Sequence, residues 1–546
     1  MITSRAGIAA LVIACSLSAY PGTQTSPVVD APAGRLRGEA AGTLRVFKGI
    51  PYALPPTGAL RWKPPAPMPA WNGIRDATAF GPACVQPKPR QGSIYAWDLS
   101  STGEDCLSLN IWAPAKARRA PVFVWIHGGS LVAGSGGDTL YDGSRLAEHG
   151  VIVVTINYRL GVLGYLAHPA LSAESPDRVS GNYGLLDQIE ALRWVKRNID
   201  AFGGDAANVT IAGESAGGLS VMYLMAAPDA RGLFAKAIAQ SAYMISTPEL
   251  KTTTFGDFTA EAIGEWVAGK VGASDLAGLR AMDAVAITTA AAAAGYTPLG
   301  TVDGRVLPRQ LIDVFDRGEQ AKVPILAGFN NGEIRSLRFL LPPAPADAAA
   351  YEKEIRARYL DQADAFLTRY PSSNVPESML ATTRDALYGW TAERLVTKQT
   401  AAGAPSFLYY FDHGYPAAES EGLHAFHASE LPYVFGTAAN TPPKWPAVPV
   451  TPAETALSDA MSGYWAAFAR TGVPAAAGHP QWAAYGTTRS YMAFEDEPRP
   501  KTNLLPGMYE LVERVVCRRR AAGHIPWHWN VGVVSPPLPP DVPQCR

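Results

Sequence analysis

The run Val209-Thr210-Ile211-Ala212-Gly213-Glu214-Ser215-Ala216-Gly217-Gly218 constrains this chain more than any other. A β-branched apolar stretch breaks into Gly-x-Ser-x-Gly with small residues after it, which predicts a buried strand turning sharply into a helix. Gly213 and Gly217 leave room for that turn. A serine alcohol is a weak nucleophile unless a base stands within reach, so the motif makes a demand on the rest of the fold. The helix opening near Ala216 would offer unpaired N–H groups to a developing anion.

The segments around this turn read as an α/β protein. Val122-Phe123-Val124-Trp125-Ile126 and Val151-Ile152-Val153-Val154-Thr155-Ile156 are nearly continuous in apolar residues. That is the signature of central parallel strands covered on both faces. Tyr183–Asn198 has helical spacing, with Leu186, Ile189, Leu192, Trp194 and Val195 on one stripe, and further strands are expected at Lys236–Gln240, 323–328 and Ser406–Phe411. Strands and helices in alternation place chemistry at the strand C-terminal ends. Near the N-terminus, Gly34-Arg35-Leu36-Arg37-Gly38 and Leu44-Arg45-Val46-Phe47-Lys48-Gly49 suggest a small antiparallel sheet at the entry to a large, mostly parallel one.

A chain of 546 residues with 47% hydrophobic and 17% charged residues can bury a large core. No internal repeat and no low-complexity linker divides it, so residues 27–546 are expected to form one domain with long insertions, 341–345 and 441–452 being surface loops. A formal net charge of −1 gives no reason to expect a nucleic-acid partner, and Arg518-Arg519-Arg520 reads as a solvated turn. The sequence leaves the oligomeric state open.

Arg5, an apolar run over 6–14 and small residues to Ala19 form an export signal over 1–19. The run is too short for a permanent membrane span. Val12-Ile13-Ala14-Cys15 also fits a lipoprotein signal over 1–14, with Cys15 acylated. Without Cys15, Cys84, Cys106, Cys517 and Cys545 remain, an even set for an oxidising compartment. Proximity in sequence favours Cys84–Cys106 and Cys517–Cys545. No His/Cys spacing suits a metal, and no cofactor motif is present. Asn208-Val209-Thr210 matches a glycosylation acceptor but runs into the buried strand.

His127-Gly128-Gly129-Ser130 follows directly on a buried strand, where glycines let backbone N–H groups approach a substrate carbonyl. With the N–H of Ala216, those of Gly128 and Gly129 would form a three-donor oxyanion hole. Gly134-Ser135-Gly136-Gly137 lacks the residues of a phosphate cradle and continues the same loop.

These motifs carry a resemblance. Phe47-Lys48-Gly49-Ile50-Pro51-Tyr52-Ala53, Glu104-Asp105-Cys106-Leu107-Ser108-Leu109-Asn110-Ile111, Asn157-Tyr158-Arg159-Leu160-Gly161, Gly184-Leu185-Leu186-Asp187-Gln188 and the stretch from Asn198 to Gly218 resemble the type-B carboxylesterases of the α/β-hydrolase fold. The resemblance implies a Ser-acid-His order, with Glu333 as the acid and His427, opening His427-Ala428-Ser429-Glu430-Leu431-Pro432, as the base. Asp303 and Asp313 compete for the acid, and His413, His424 and His479 for the base. The resemblance also marks Glu214, Ser241 and Glu430 as supporting residues, Cys84–Cys106 as a loop-closing disulfide, and Tyr296 and Trp97 as pocket residues. It implies hydrolysis of small-molecule esters through an acyl-enzyme. Amide, carbamate or lactone hydrolysis on the same triad stays open, as does a catalytically silent binding homologue.

Overall fold

The structure, a computed structural model, describes residues 26–545 except 98, 100, 524 and 528–531. The expected export segment, Cys15 included, lies outside the described residues. An eleven-stranded sheet organises the chain. In chain order its strands are β1 (Glu39–Ala41), β2 (Leu44–Pro51), β3 (Ser108–Pro114), β4 (Ala120–Ile126), β5 (Ile152–Ile156) and β6 (Gly204–Glu214). They continue with β7 (Lys236–Gln240), β8 (Ile325–Asn330), β9 (Ser406–Phe411), β10 (Ser490–Phe494) and β11 (Pro498–Thr502). Side by side they run β11-β10-β9-β8-β7-β6-β4-β5-β3-β2-β1. Neighbours from β10 to β5 are parallel, and the pairs beyond them are antiparallel.

Parallel strands need crossovers, and the crossover helices cover both faces. Accordingly every residue of β4, β5, β7, β8 and β9 is buried. The helix Tyr183–Asn198 buries Leu185, Ile189, Leu192, Trp194 and Val195 at 2% exposure or less, each contributing roughly 1.5–3 kcal/mol by leaving water. Leu186, expected on that stripe, is only partly buried. The strand order reverses around β4, which lies between β5 and β6. Such a switch point opens a crevice beyond the strand C-termini, and the candidate residues gather there.

The small N-terminal sheet joins Val28–Ala31 and Gly34–Arg37 as an antiparallel pair, with Ile74–Asp76 added in parallel. Residues 44–49, expected in that entry sheet, instead lie in β2 of the large one. The strand's Leu44, Val46, Phe47 and Ile50 are all buried, and Phe47 packs edge-on against Phe202. The strand expected at 323–328 begins at Ile325, since Pro324 has no N–H to give a ladder.

Arg518-Arg519-Arg520 is not a solvated turn. It lies in the helix Met508–Ala522, with Arg518 and Arg519 buried. Arg518 bonds Asp361 and the Pro539 carbonyl, Arg519 bonds Ser535, and Arg520 pairs with Asp313 and Asp316. A run of like charge looked solvated in sequence because its acidic partners are distant along the chain. Cys84–Cys106 and Cys517–Cys545 are both disulfides.

Candidate active site

Ser215 stands between β6 and the helix Ala216–Ala226 with φ 56 and ψ −121, a conformation that costs a non-glycine residue about 1–3 kcal/mol. Its N–H donates to the Gln240 carbonyl at 3.0 Å, anchoring the turn to β7. The flanking glycines are needed for space. A Cβ on Gly217 would lie 2.0 Å from the Ile126 carbonyl oxygen, and one on Gly213 would lie 2.5 Å from the Gly217 carbonyl carbon.

The loop after β4 comes against this turn. A Cβ on Gly128 would stand 3.3 Å from Ser215 Cβ and 3.0 Å from Glu214 Oε2. Among the described residues, no protein group accepts from the backbone N–H of Gly128, Gly129 or Ala216. The loop is supported from behind by the Asn157-Tyr158-Arg159 segment. Tyr158 donates its hydroxyl to the His127 carbonyl at 2.7 Å and stacks on the His127 ring at 4.5 Å. Asn157 accepts from the Gly136 N–H at 2.7 Å. Arg159 and Asp187, both buried, pair through two side-chain hydrogen bonds of 2.8 and 2.7 Å. Burial lowers the His127 pKa to about 4, so its ring is neutral in this support.

Glu333 opens a 3-10 turn, Glu333–Arg335, after β8, and His427 lies in the loop after β9. His427 Nδ1 meets Glu333 Oε2 at 2.5 Å, both groups being buried. Glu333 Oε1 accepts from Ser241 Oγ at 2.7 Å and from the Asn330 N–H at 2.8 Å. The two loops are laced together, Gly332 N–H donating to the Ala425 carbonyl at 2.7 Å. Glu430 sits one layer further back, accepting from Asn330 Nδ2 at 2.7 Å and Gln240 Nε2 at 2.9 Å. Ser241 thus supports the Glu333 carboxylate, while Glu430 braces Asn330, which gives Glu333 its second hydrogen bond.

Glu214 approaches the other imidazole nitrogen, its Oε1 lying 3.1 Å from His427 Nε2 without making a hydrogen bond. Burial opposes a charged imidazole, but the carboxylates of Glu214, then Glu333, outweigh it and raise His427 to about 9. Burial raises Glu214 to about 8 and Glu430 to about 7.

The competing residues lie elsewhere. Asp303 accepts from the N–H groups of Arg305, Val306 and Leu307 in its own turn, and Asp313 pairs with Arg520. His424 is held between Glu419 and Asp412, His413 between Glu454 and Asp496, and His479 lies beside Tyr464. Tyr296 packs on the cluster of Trp62, Val85 and Val162, and Trp97 on that of Phe426 and Trp445. Neither Tyr296 nor Trp97 makes a hydrogen bond or ring contact to Ser215 or His427 among the described residues. The rings beside His427 are Tyr95, at 6.4 Å, and Tyr388, at 5.3 Å. Tyr388 comes from a π-helical turn, Asp385–Gly389, between two α-helices. Nothing in the sequence marks either tyrosine, because no local period brings it to His427.

The sheet order and the strand-turn-helix at Ser215 define an α/β-hydrolase. The Carboxylesterase family matches over residues 25–511, and the chain belongs to that family and is a carboxylic ester hydrolase. It is 38% identical to a fumonisin B1 esterase of Sphingopyxis macrogoltabida, over 83% of this chain and 84% of that protein. It is 35% identical to the para-nitrobenzyl esterase of Bacillus subtilis (strain 168), over 87% of this chain and 96% of the relative. A solved PNB esterase superimposes with a TM-score of 0.78 at 32% identity, covering 89% of this chain and 99% of that one. For the Geobacillus stearothermophilus carboxylesterase at pH 6.2 the TM-score is 0.73 at 35% identity, with the same coverage.

Proposed function

We propose that the protein hydrolyses uncharged carboxylic esters through an acyl-enzyme on Ser215. His427 takes the Ser215 proton as Oγ attacks the carbonyl, and Glu333 fixes the imidazole tautomer and stabilises the imidazolium. The N–H groups of Gly128, Gly129 and Ala216 receive the tetrahedral oxyanion, each donor worth about 3 kcal/mol of barrier. His427 then protonates the leaving alcohol, and water, activated by the same base, releases the acid. The observation that carries this reading is the Glu333–His427 contact, with His427 Nε2 3.1 Å from Glu214, the residue that precedes the strained Ser215.

An uncharged substrate is favoured because Trp97 packs on the cluster of Phe426 and Trp445, while the rings beside His427 are Tyr95 and Tyr388. The relative from Bacillus subtilis is named for an aromatic ester. Export through the N-terminal segment, with residues 27–546 as one domain, completes the proposal, and two disulfides suit an oxidising compartment. Rapid mixing with para-nitrophenyl acetate tests the chemistry. A burst of nitrophenol equal to the enzyme, followed by slower turnover, is expected. A panel in which amides, carbamates or lactones turn over and matched esters do not would overturn the assignment of substrate class.

A further inference from the structure

Glu333 and His427 are connected by a second route that avoids their side chains. Ser336 directly follows the turn Glu333–Arg335, and its Oγ lies 2.7 Å from the hydroxyl of Tyr95. The same Tyr95 hydroxyl donates to the backbone carbonyl of His427 at 2.9 Å. One phenol therefore spans the segments that carry the acid and the base. The phenol's single proton is shared between Ser336 Oγ and the His427 carbonyl, and the Ser336 hydroxyl in turn donates to the Glu333 carbonyl at 3.4 Å.

The backbone at the base needs such an anchor. His424 has φ 52 and Ala428 has φ 67, left-handed conformations that non-glycine residues keep only when the surroundings impose them. A histidine whose backbone shifts can keep its Glu333 contact by rotating, and the rotation moves Nε2, the atom that is to take the Ser215 proton. Tyr95 is itself well fixed. It lies in the loop closed by Cys84–Cys106, and its ring meets Trp445 edge-on at 5.7 Å. Arg90 of the same loop lies over the Phe339 ring, a short way beyond Glu333, at 5.2 Å. Burial holds the Tyr95 pKa well above 10, so the phenol stays a donor through the working range.

We propose that Tyr95 is a positioning residue for ester hydrolysis: its hydroxyl, delivered by the disulfide-closed loop, fixes the His427 backbone against the Glu333 segment. The proposal rests on the reading of Ser215, Glu333 and His427 as the reacting triad.

Tyr95→Phe removes the hydroxyl and keeps the ring against Trp445. With para-nitrophenyl acetate, kcat should fall at least tenfold while KM stays within about twofold, because the alignment of the base is used in the transition state and not in binding. Ser336→Ala should show a similar but smaller loss. The double variant should be no worse than Tyr95→Phe alone, since both changes open one link. A fluorophosphonate should label Tyr95→Phe to full stoichiometry at a rate reduced by the same factor as kcat.

Unchanged kcat, a loss that appears in KM, or fully additive losses would overturn the proposal. So would a fall in labelled fraction at an unchanged rate, which marks a merely structural residue. Ser215→Ala separates the two readings. If it is inert while Tyr95→Phe is normal, only the role of Tyr95 fails; if it keeps activity, the triad reading itself fails.

Discussion

Glu214 Oε1 lies 3.1 Å from His427 Nε2, at the opposite end of the imidazole from Glu333. One imidazole thus lies between two carboxylates, which is why it is raised to about 9 despite its burial. A base must be neutral to accept a proton, so the acid limb of kcat/KM should turn above the ordinary histidine value of about 6.5. Glu214→Gln should move that inflection down. The stability signs agree. Folded-state pKa values of Glu214 and His427 are raised, so their contributions are complete below the unfolded values and are lost as pH rises towards about 8 and 9. The Tm of Glu214→Gln relative to wild type should therefore increase from pH 5 to pH 9. An unmoved inflection would show that Glu214 does not act on the base.

Glu333→Gln should fold and lose on the order of a thousandfold or more in kcat. Its carbonyl can still accept from Ser241 and Asn330, but an amide N–H facing His427 Nδ1 forces the proton onto Nε2, the atom that must receive the serine's. Steady-state kinetics beside a circular dichroism spectrum checks this. A Gln variant of normal kcat would return Asp303 and Asp313 to consideration.

His427→Ala should abolish turnover, whereas His424→Ala should leave kcat within about threefold. His424 is tied to Glu419 and to Asp412, at 2.8 Å, and is partly exposed. Parallel kinetics on the two variants would reverse the assignment if His424→Ala were the inert one.

A choline ester should gain nothing over an uncharged thioester of similar size. A desolvated cation–π contact would be worth about 2 kcal/mol, or roughly thirtyfold in kcat/KM. That preference for butyrylthiocholine, lost in Trp97→Ala, would place a cation site at Trp97.

What sequence could reveal followed the range of each interaction. The strand and turn at Ser215 and the glycines after β4 are local patterns, and both lie at the C-terminal ends of neighbouring strands. Glu333 and His427 have no local signature and stand out only through the resemblance of their segments to the family. Tyr95, Tyr388 and Gln240 gave no signal, since each reaches the site by a contact spanning a hundred residues or more, or from a π-helical turn of ordinary composition. The buried Arg518 gives no signal for the same reason, its partner Asp361 being remote in sequence. The stretch 44–49 reads as part of the small entry sheet but pairs in the large one, because alternation marks a strand and not its neighbour.

The central claim is that Ser215 is the nucleophile. The most direct measurement is mass-spectrometric mapping of the protein after reaction with a fluorophosphonate. One adduct per chain, on the peptide carrying Gly213-Glu214-Ser215-Ala216-Gly217, is predicted, together with no labelling of a folded Ser215→Ala variant. A stoichiometric adduct on any other residue, or labelling and ester turnover that survive in Ser215→Ala, would contradict it.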